Sequence, residues 1–216
     1  MRTPDVDRKE LIARLKAEFG EDEPIFIKEI MSSWREYSPA RISQILKELC
    51  SDGTIVRYAR GVYYFPKTAF WNAPLPLDVT KVAEKRYMKA NGEVFGYYSG
   101  PTLLNMIGLT NQVPNTDEIV TMNETTRVRE VTIGKFYFRL RRSKMQITEE
   151  NAPLLQVLEI FNKGDAPLER YQKENILALL GNKTIDKALL FECAEYFPKR
   201  ALKNLMNSEI GALLVA

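Results

Sequence analysis

Five residues between positions 40 and 47 are of types that commonly contact nucleic acid, and four of them have the spacing of one helical face. Ala40, Ser43, Gln44 and Lys47 recur at i, i+3, i+4 and i+7, and Arg41 flanks them. A glutamine pairs a donor with an acceptor as adenine requires, and an arginine presents the two donors that match guanine. A lysine binds phosphate, a contact that positions a protein without reading sequence. The small residues would let such a helix approach a groove closely.

A second group of polar residues lies just downstream, in the stretch VRYARGVYYF. Two β-rich runs flank Arg60 and Gly61, which predicts a hairpin with an arginine at its tip. Arg57 and Tyr58 lie on the incoming strand. Cations on such a ribbon suit the line of phosphates along a duplex and its negative minor groove, and a tyrosine hydroxyl can donate to phosphate. The alternative is a solvated turn with no ligand.

The helix that carries the first group has clear boundaries in SPARISQILKELCSDG. Ser38 is a good N-cap, Pro39 suits the first helical position, and Gly53 follows the end. An apolar stripe on the opposite side predicts the buried face. The stripe consists of Ile42, Ile45, Leu46 and Leu49.

Two further helices are predicted upstream, in VDRKELIARLKAEFG and IFIKEIMSSW. Three helices followed by a hairpin indicate a winged helix-turn-helix over residues 1–67. In that fold the third helix enters the major groove and the hairpin, or wing, contacts the backbone or the adjacent minor groove.

The rest of the chain predicts a linker and a second domain. Prolines punctuate residues 68–79, so we expect the linker there. Residues 80–216 begin with a helix that Thr80 is expected to cap, continue with strands in EVFGYYSG, DEIVTMN and REVTIGKFYFRLRR, and are mainly helical from 148 to 216. The predicted fold class is therefore α+β: an N-terminal winged helix-turn-helix, then a mixed α/β domain with a helical C-terminal region.

A second basic surface is predicted where seven cations face one acid between Arg127 and Lys144. On the last strand, alternation places Phe136, Phe138 and Leu140 opposite the cations. This surface can extend a DNA contact, bind a protein, or be solvated. Its candidate residues are Arg127, Arg129, Lys135, Arg139 and Arg141.

Several function classes are disfavoured by what the sequence lacks. The 216 residues include no histidine and only two cysteines, which removes histidine-dependent triads and the common zinc sites. No dinucleotide-binding motif and no phosphate-loop motif occurs. The stretch GNKT matches only the last residues of a phosphate loop. We therefore predict no catalytic residues, no metal, no cofactor and no enzyme activity. The charged N-terminus and the lack of a long apolar run predict a cytoplasmic protein without membrane contact.

Two stretches resemble the AbiEi-type antitoxins of type IV toxin–antitoxin, abortive-infection systems. LKELCSDGTIVRYARGVYYFPK is similar to the family's helix–hairpin signature, and YYSGPTLLNMIGLTNQVP is similar to the start of its second domain. The resemblance covers about residues 38–142. It implies a repressor that binds operator DNA, autoregulates its operon and counteracts a nucleotidyltransferase-like toxin encoded in the same operon.

Two other functions stay open at this point. A stand-alone winged-helix regulator would use its second domain to dimerise or to sense a ligand. A restriction or defence enzyme would use the first domain to target DNA.

Overall fold

The computed structural model describes residues 8–67, 73–164, 167–181 and 186–215. The predicted linker residues 68–72 and most of GNKT lie outside these ranges. The fold is mixed α/β, with three sheets among the described residues. Contacts divide the chain between Lys85 and Arg86, and we call the two parts the first unit and the second unit. Within the described ranges, no helix has both the length and the hydrophobicity needed to cross a bilayer.

The first unit contains the predicted three helices and hairpin together with one unpredicted strand. Its elements are α1 (Arg8–Phe19), β1 (Ile25–Phe26), α2 (Ile27–Ser33), α3 (Pro39–Ser51), β2 (Val56–Ala59) and β3 (Val62–Tyr64). The strands form an antiparallel sheet in the order β1-β3-β2. Helix α4 (Val79–Tyr87) runs across the division between the units.

The sequence-based assignment of Ile25 and Phe26 to a helix is wrong. Ile25 pairs with Tyr63 and Phe26 with Val62, so these residues form the third strand of the sheet. A two-residue strand is too short to show a period of two, and its pairing partners lie far along the chain. The pairing of β1 with β3 therefore connects the outgoing strand of the hairpin to the segment that leads into α2.

The core of the first unit lies beneath α3. The predicted stripe of α3 is buried, at 1–4% exposure, and it packs in one cluster with Leu15, Ile30 and Trp34. The predicted cap is also confirmed, because the Oγ of Ser38 accepts a hydrogen bond from the Arg41 amide at 3.2 Å. Gly53 follows the helix with φ +78°, a conformation that favours glycine. The buried stripe and the cap together fix which face of α3 points outward.

The second unit contains two sheets and a set of helices. Its strands are β4 (Lys89–Ala90), β5 (Glu93–Val94), β6 (Gly96–Ser99), β7 (Thr116–Thr121), β8 (Val128–Ile133) and β9 (Phe136–Arg142). Its helices are α5 (Gly100–Met106), α6 (Ala152–Lys163), α7 (Arg170–Leu180), α8 (Lys187–Ala194), α9 (Lys199–Met206) and α10 (Glu209–Val215). The larger sheet has the order β6-β7-β9-β8, and β7 pairs with β9 in parallel.

Two local predictions for this part of the chain need correction. Thr80 does not cap α4; its amide donates to the Oδ1 of Asp78 at 2.9 Å, so the aspartate two residues earlier is the capping side chain. Phe138 and Leu140 are buried as predicted, but Phe136 is 54% exposed. Phe136 is the first residue of β9 and lies beside the turn, opposite Ile133 of β8.

Candidate functional site

The outward face of α3 carries the polar residues that the sequence singles out. Ala40, Ser43, Gln44 and Lys47 are exposed, and Arg41 is partly exposed. The Oγ of Ser43 donates to the Pro39 carbonyl at 2.9 Å, and the Nε2 of Gln44 donates to the Oε1 of Glu48 at 2.9 Å. These bonds stay within the helix, so the face is open along the predicted stripe.

The β2–β3 hairpin ends at Arg60 and Gly61, as predicted. Gly61 has φ +73°, and its carbonyl accepts a hydrogen bond from the Ile27 amide at 3.0 Å. A Cβ at position 61 would lie 3.1 Å from the Cγ2 of Ile27, which explains why glycine fits there. The turn is therefore held against the start of α2, while the Arg60 side chain remains exposed.

The incoming strand presents Arg57 and Tyr58 differently. Arg57 is exposed, whereas Tyr58 is partly buried at the point where the register between β2 and β3 shifts. Burial, and then the charges of Asp78 and Tyr64, raise the pKa of Tyr58. Its phenol is thus protonated at neutral pH and can donate a hydrogen bond.

The cations on the outward face of α3 and on the hairpin differ from most other cations of the first unit in having no ion-pair partner in the described part of the chain. Many of the others are neutralised, in the pairs Arg8–Asp52, Arg14–Glu36, Lys16–Glu21, Lys67–Asp22, Lys81–Asp22, Lys81–Glu23 and Lys85–Glu29. Arg41, Lys47, Arg57 and Arg60 form no ion pair with any described residue, and the same holds for Lys28 and Arg35. The helix face and the hairpin tip therefore carry positive charge that no described side chain neutralises.

The second basic surface is less uniformly cationic than its sequence suggests. Three of its arginines lie beside carboxylates, in the pairs Arg129–Glu124 (2.8 Å), Arg139–Glu118 (3.4 Å), Arg139–Glu130 (3.2 Å) and Arg141–Glu159 (2.6 Å). Arg127 and Lys135 have no ion-pair partner among the described residues, and Lys135 lies in the turn at the far end of the β8–β9 ribbon from Arg141. The five residues therefore do not form one continuous cationic face.

Three acidic partners of these arginines, Glu118, Glu124 and Glu159, are residues that sequence reasoning missed, whereas Glu130 is the one acid counted in the basic stretch. Glu124 is buried at 4% exposure. Burial alone would raise the pKa of Glu124, but hydrogen bonds from Thr126 and Thr125 and the charge of Arg129 hold it below its usual value. Glu118 and Glu159 come from β7 and α6, outside the basic stretch. A count of charges along the chain cannot find such partners.

The comparisons with known proteins add no family or relative. No model of a known protein family matches this chain, and a search of curated proteins finds no significant match. In the described ranges no three histidine, cysteine, aspartate or glutamate residues are grouped so that they can hold a metal ion. Burial raises the pKa of the Cys193 thiol to about 11, and Cys50 is only partly buried.

Proposed function

We propose that this chain is a DNA-binding transcriptional repressor that acts in the cytoplasm as the antitoxin of a type IV toxin–antitoxin system. The observation that carries the DNA-binding part is the open face of α3 beside a hairpin tipped by Arg60, with four cations that no described acid neutralises. A duplex supplies the complementary phosphates, and binding releases the counterions condensed on them.

We further infer that the first unit is a winged helix-turn-helix. The element order α1-β1-α2-α3-β2-β3 supports this inference, because it provides a third helix with a polar outer face and a hairpin directly after it. The pairing of β1 with β3 and the bond from Ile27 to Gly61 hold the hairpin in one position. A wing fixed in this way loses little conformational freedom when it binds.

In this proposal the residues at the start of α3 read bases, and the remaining cations of α3 and the hairpin contact phosphates. Recognition helices read base edges with their N-terminal residues, and Arg41 and Gln44 lie in the first two turns of α3. Gln44 would exchange its bond to Glu48 for a bidentate contact to adenine. Lys47, Arg57 and Arg60 would bind phosphates and set the register.

The antitoxin part of the proposal follows from the resemblance described above. The repressor would autoregulate its own operon, and the second unit would counteract a nucleotidyltransferase-like toxin. Arg127 and Lys135, the members of the second basic surface without an ion pair to a described residue, are the exposed cations available there for a partner or for DNA. Co-expression with a nucleotidyltransferase-like protein from the same operon tests this part: restored growth supports it, and unrelieved toxicity contradicts it.

Selection of bound duplexes from a random pool tests the DNA-binding part and supplies a ligand for mutagenesis. We expect Gln44→Ala to weaken binding to the selected duplex by about 1–3 kcal/mol, because a bidentate base contact is lost. Affinity for an unrelated duplex should change little. Fluorescence anisotropy with both duplexes measures the two effects.

Ser51→Ala is the matched control, since it truncates an exposed polar side chain at the other end of the same helix. It should bind both duplexes like the parent. Equal binding of the selected duplex by Gln44→Ala and the parent would remove Gln44 from the recognition surface. Failure to enrich any sequence would contradict specific DNA binding.

A further inference from the structure

A cavity of about 350 Å³ lies in the second unit, between the larger sheet and the helices. Its walls come from β6 and β7, from the ends of β8 and β9, from the loop after β9, from α6, and from the turn between α8 and α9. Ligand sites in proteins commonly begin at about this volume, which is close to that of a mononucleotide.

The polar wall of this cavity is strongly cationic. Arg127, Arg141, Arg142 and Lys144 line it, and Glu159 is the one carboxylate among the lining residues. Glu159 already lies 2.6 Å from Arg141, so it neutralises one of the four cations. Three positive charges remain around a concave space, which favours an anionic ligand over a neutral or cationic one.

Arg141 is held in position at the base of this wall. Its Nη2 donates to the Oγ of Ser99 at 2.9 Å and to the Oε1 of Glu159 at 2.6 Å. Ser99 and Glu159 are themselves 0% and 8% exposed. The Nη1 of Arg141 makes no hydrogen bond to a described residue. Both hydrogens of Nη2 are used by Ser99 and Glu159 and the Nε is buried, so this fixed guanidinium offers its Nη1 donors to an oxyanion as a charge-assisted contact.

The other cations of the wall are exposed and accessible to a ligand. Arg127 and Lys144 have no side-chain partner among the described residues, and Arg142 has only a hydrogen bond of 3.5 Å to the Thr125 carbonyl. Apart from Ser143 and Asn162, the remaining lining residues are apolar or aromatic. They include Val120, Met145, Leu155, Tyr196 and Phe197.

We propose that this cavity binds a small phosphate-bearing molecule no larger than a mononucleotide. The phosphate lies among Arg127, Arg141, Arg142 and Lys144, and any organic part lies against the apolar wall. This site is additional to the proposed DNA-binding surface, and its test does not involve DNA. Free phosphate and a phosphate ester share the recognised chemistry, so both are used as probes.

Isothermal titration calorimetry of the full chain with inorganic phosphate, AMP, GMP, CMP, UMP and adenosine tests the proposal. We expect at least one phosphate-bearing probe to bind with a Kd below about 1 mM, and adenosine not to bind. The variant Arg142→Gln/Lys144→Gln should bind that probe at least about tenfold more weakly, because two charge-assisted contacts are lost. Neither residue supports the core, so thermal unfolding should match the parent.

The charge-matched control is Lys89→Gln/Lys203→Gln, which alters exposed lysines that do not line the cavity. It should bind like the parent. Binding of inorganic phosphate would identify free phosphate as sufficient, and binding of nucleotides alone would identify a phosphate ester. The proposal is overturned if no phosphate-bearing probe binds, if adenosine binds as well as AMP, or if the two double variants bind equally.

Discussion

Replacing Trp34 with alanine is expected to lower the free energy of unfolding of the first unit by about 4 kcal/mol. Trp34 is 1% exposed at the end of α2 and belongs to the cluster beneath α3. Removal of a buried tryptophan loses its transfer free energy and leaves a cavity, at a typical cost of about 3–5 kcal/mol. Two polar contacts are lost as well. The Nε1 donates to Glu18 at 2.9 Å, and the Arg14 guanidinium lies 4.6 Å from the ring centroid.

Urea denaturation of the full chain, followed by circular dichroism, measures this effect. A loss of that size is a large fraction of the stability of an ordinary domain, so DNA binding should weaken in parallel. Trp34→Phe is the control, since it keeps most of the buried area and loses only the hydrogen bond and part of the volume. A Trp34→Ala protein with the parent's urea midpoint would show that this cluster does not support α3.

Replacing Glu159 with leucine is expected to destabilise the second unit by about 3 kcal/mol. The change keeps the approximate volume but leaves Arg141 without its closest acid. Breaking a buried ion pair from one side typically costs about 3–5 kcal/mol, and the lower end applies because the Arg141 side chain is 34% exposed. The Arg141 Nε is buried and has no hydrogen-bond partner among the described residues. The burial of this guanidinium is therefore incompletely offset even in the parent.

Glu159→Gln separates the charge from the hydrogen bond. Its amide oxygen can still accept from Arg141, so we expect less than half of the loss seen with leucine. Urea denaturation of both variants provides the comparison. Equal stability of Glu159→Leu and the parent would mean that Ser99, Glu118 (3.9 Å from the Nε) and solvent satisfy Arg141, and that the arginine is not held by the pair with Glu159.

The sequence predicts α3 well because every signal for this helix is local. Ser38, Pro39 and Gly53 mark its ends within a few residues, and the apolar stripe has an unambiguous period. The same stripe identifies the outward residues Gln44 and Lys47 by exclusion. The hairpin is equally local, because its two strands are adjacent in the chain and Gly61 supplies the turn.

The features that sequence reasoning missed depend on distant residues. Strand β1 forms because Ile25 and Phe26 pair with Tyr63 and Val62. The sequence of a two-residue segment cannot predict that pairing. The second basic surface is partly neutralised for a similar reason. Glu159 lies 18 residues beyond Arg141 in the chain, so a count over the basic stretch cannot include it. The cavity likewise forms only when β9, α6 and the turn before α9 come together.

The salt dependence of DNA binding tests the central claim most directly. Anisotropy titrations with the selected duplex between 50 and 300 mM salt measure it, because phosphate contacts dominate the change in affinity over this range. The proteins compared are the parent, Arg57→Ala, Arg60→Ala and the exposed control Lys203→Ala. Each wing variant should bind more weakly at low salt and flatten the slope of log K against log salt by about one. The control should reproduce the parent's curve. Wing variants that bind as tightly as the parent at every salt concentration would show that the hairpin does not contact DNA.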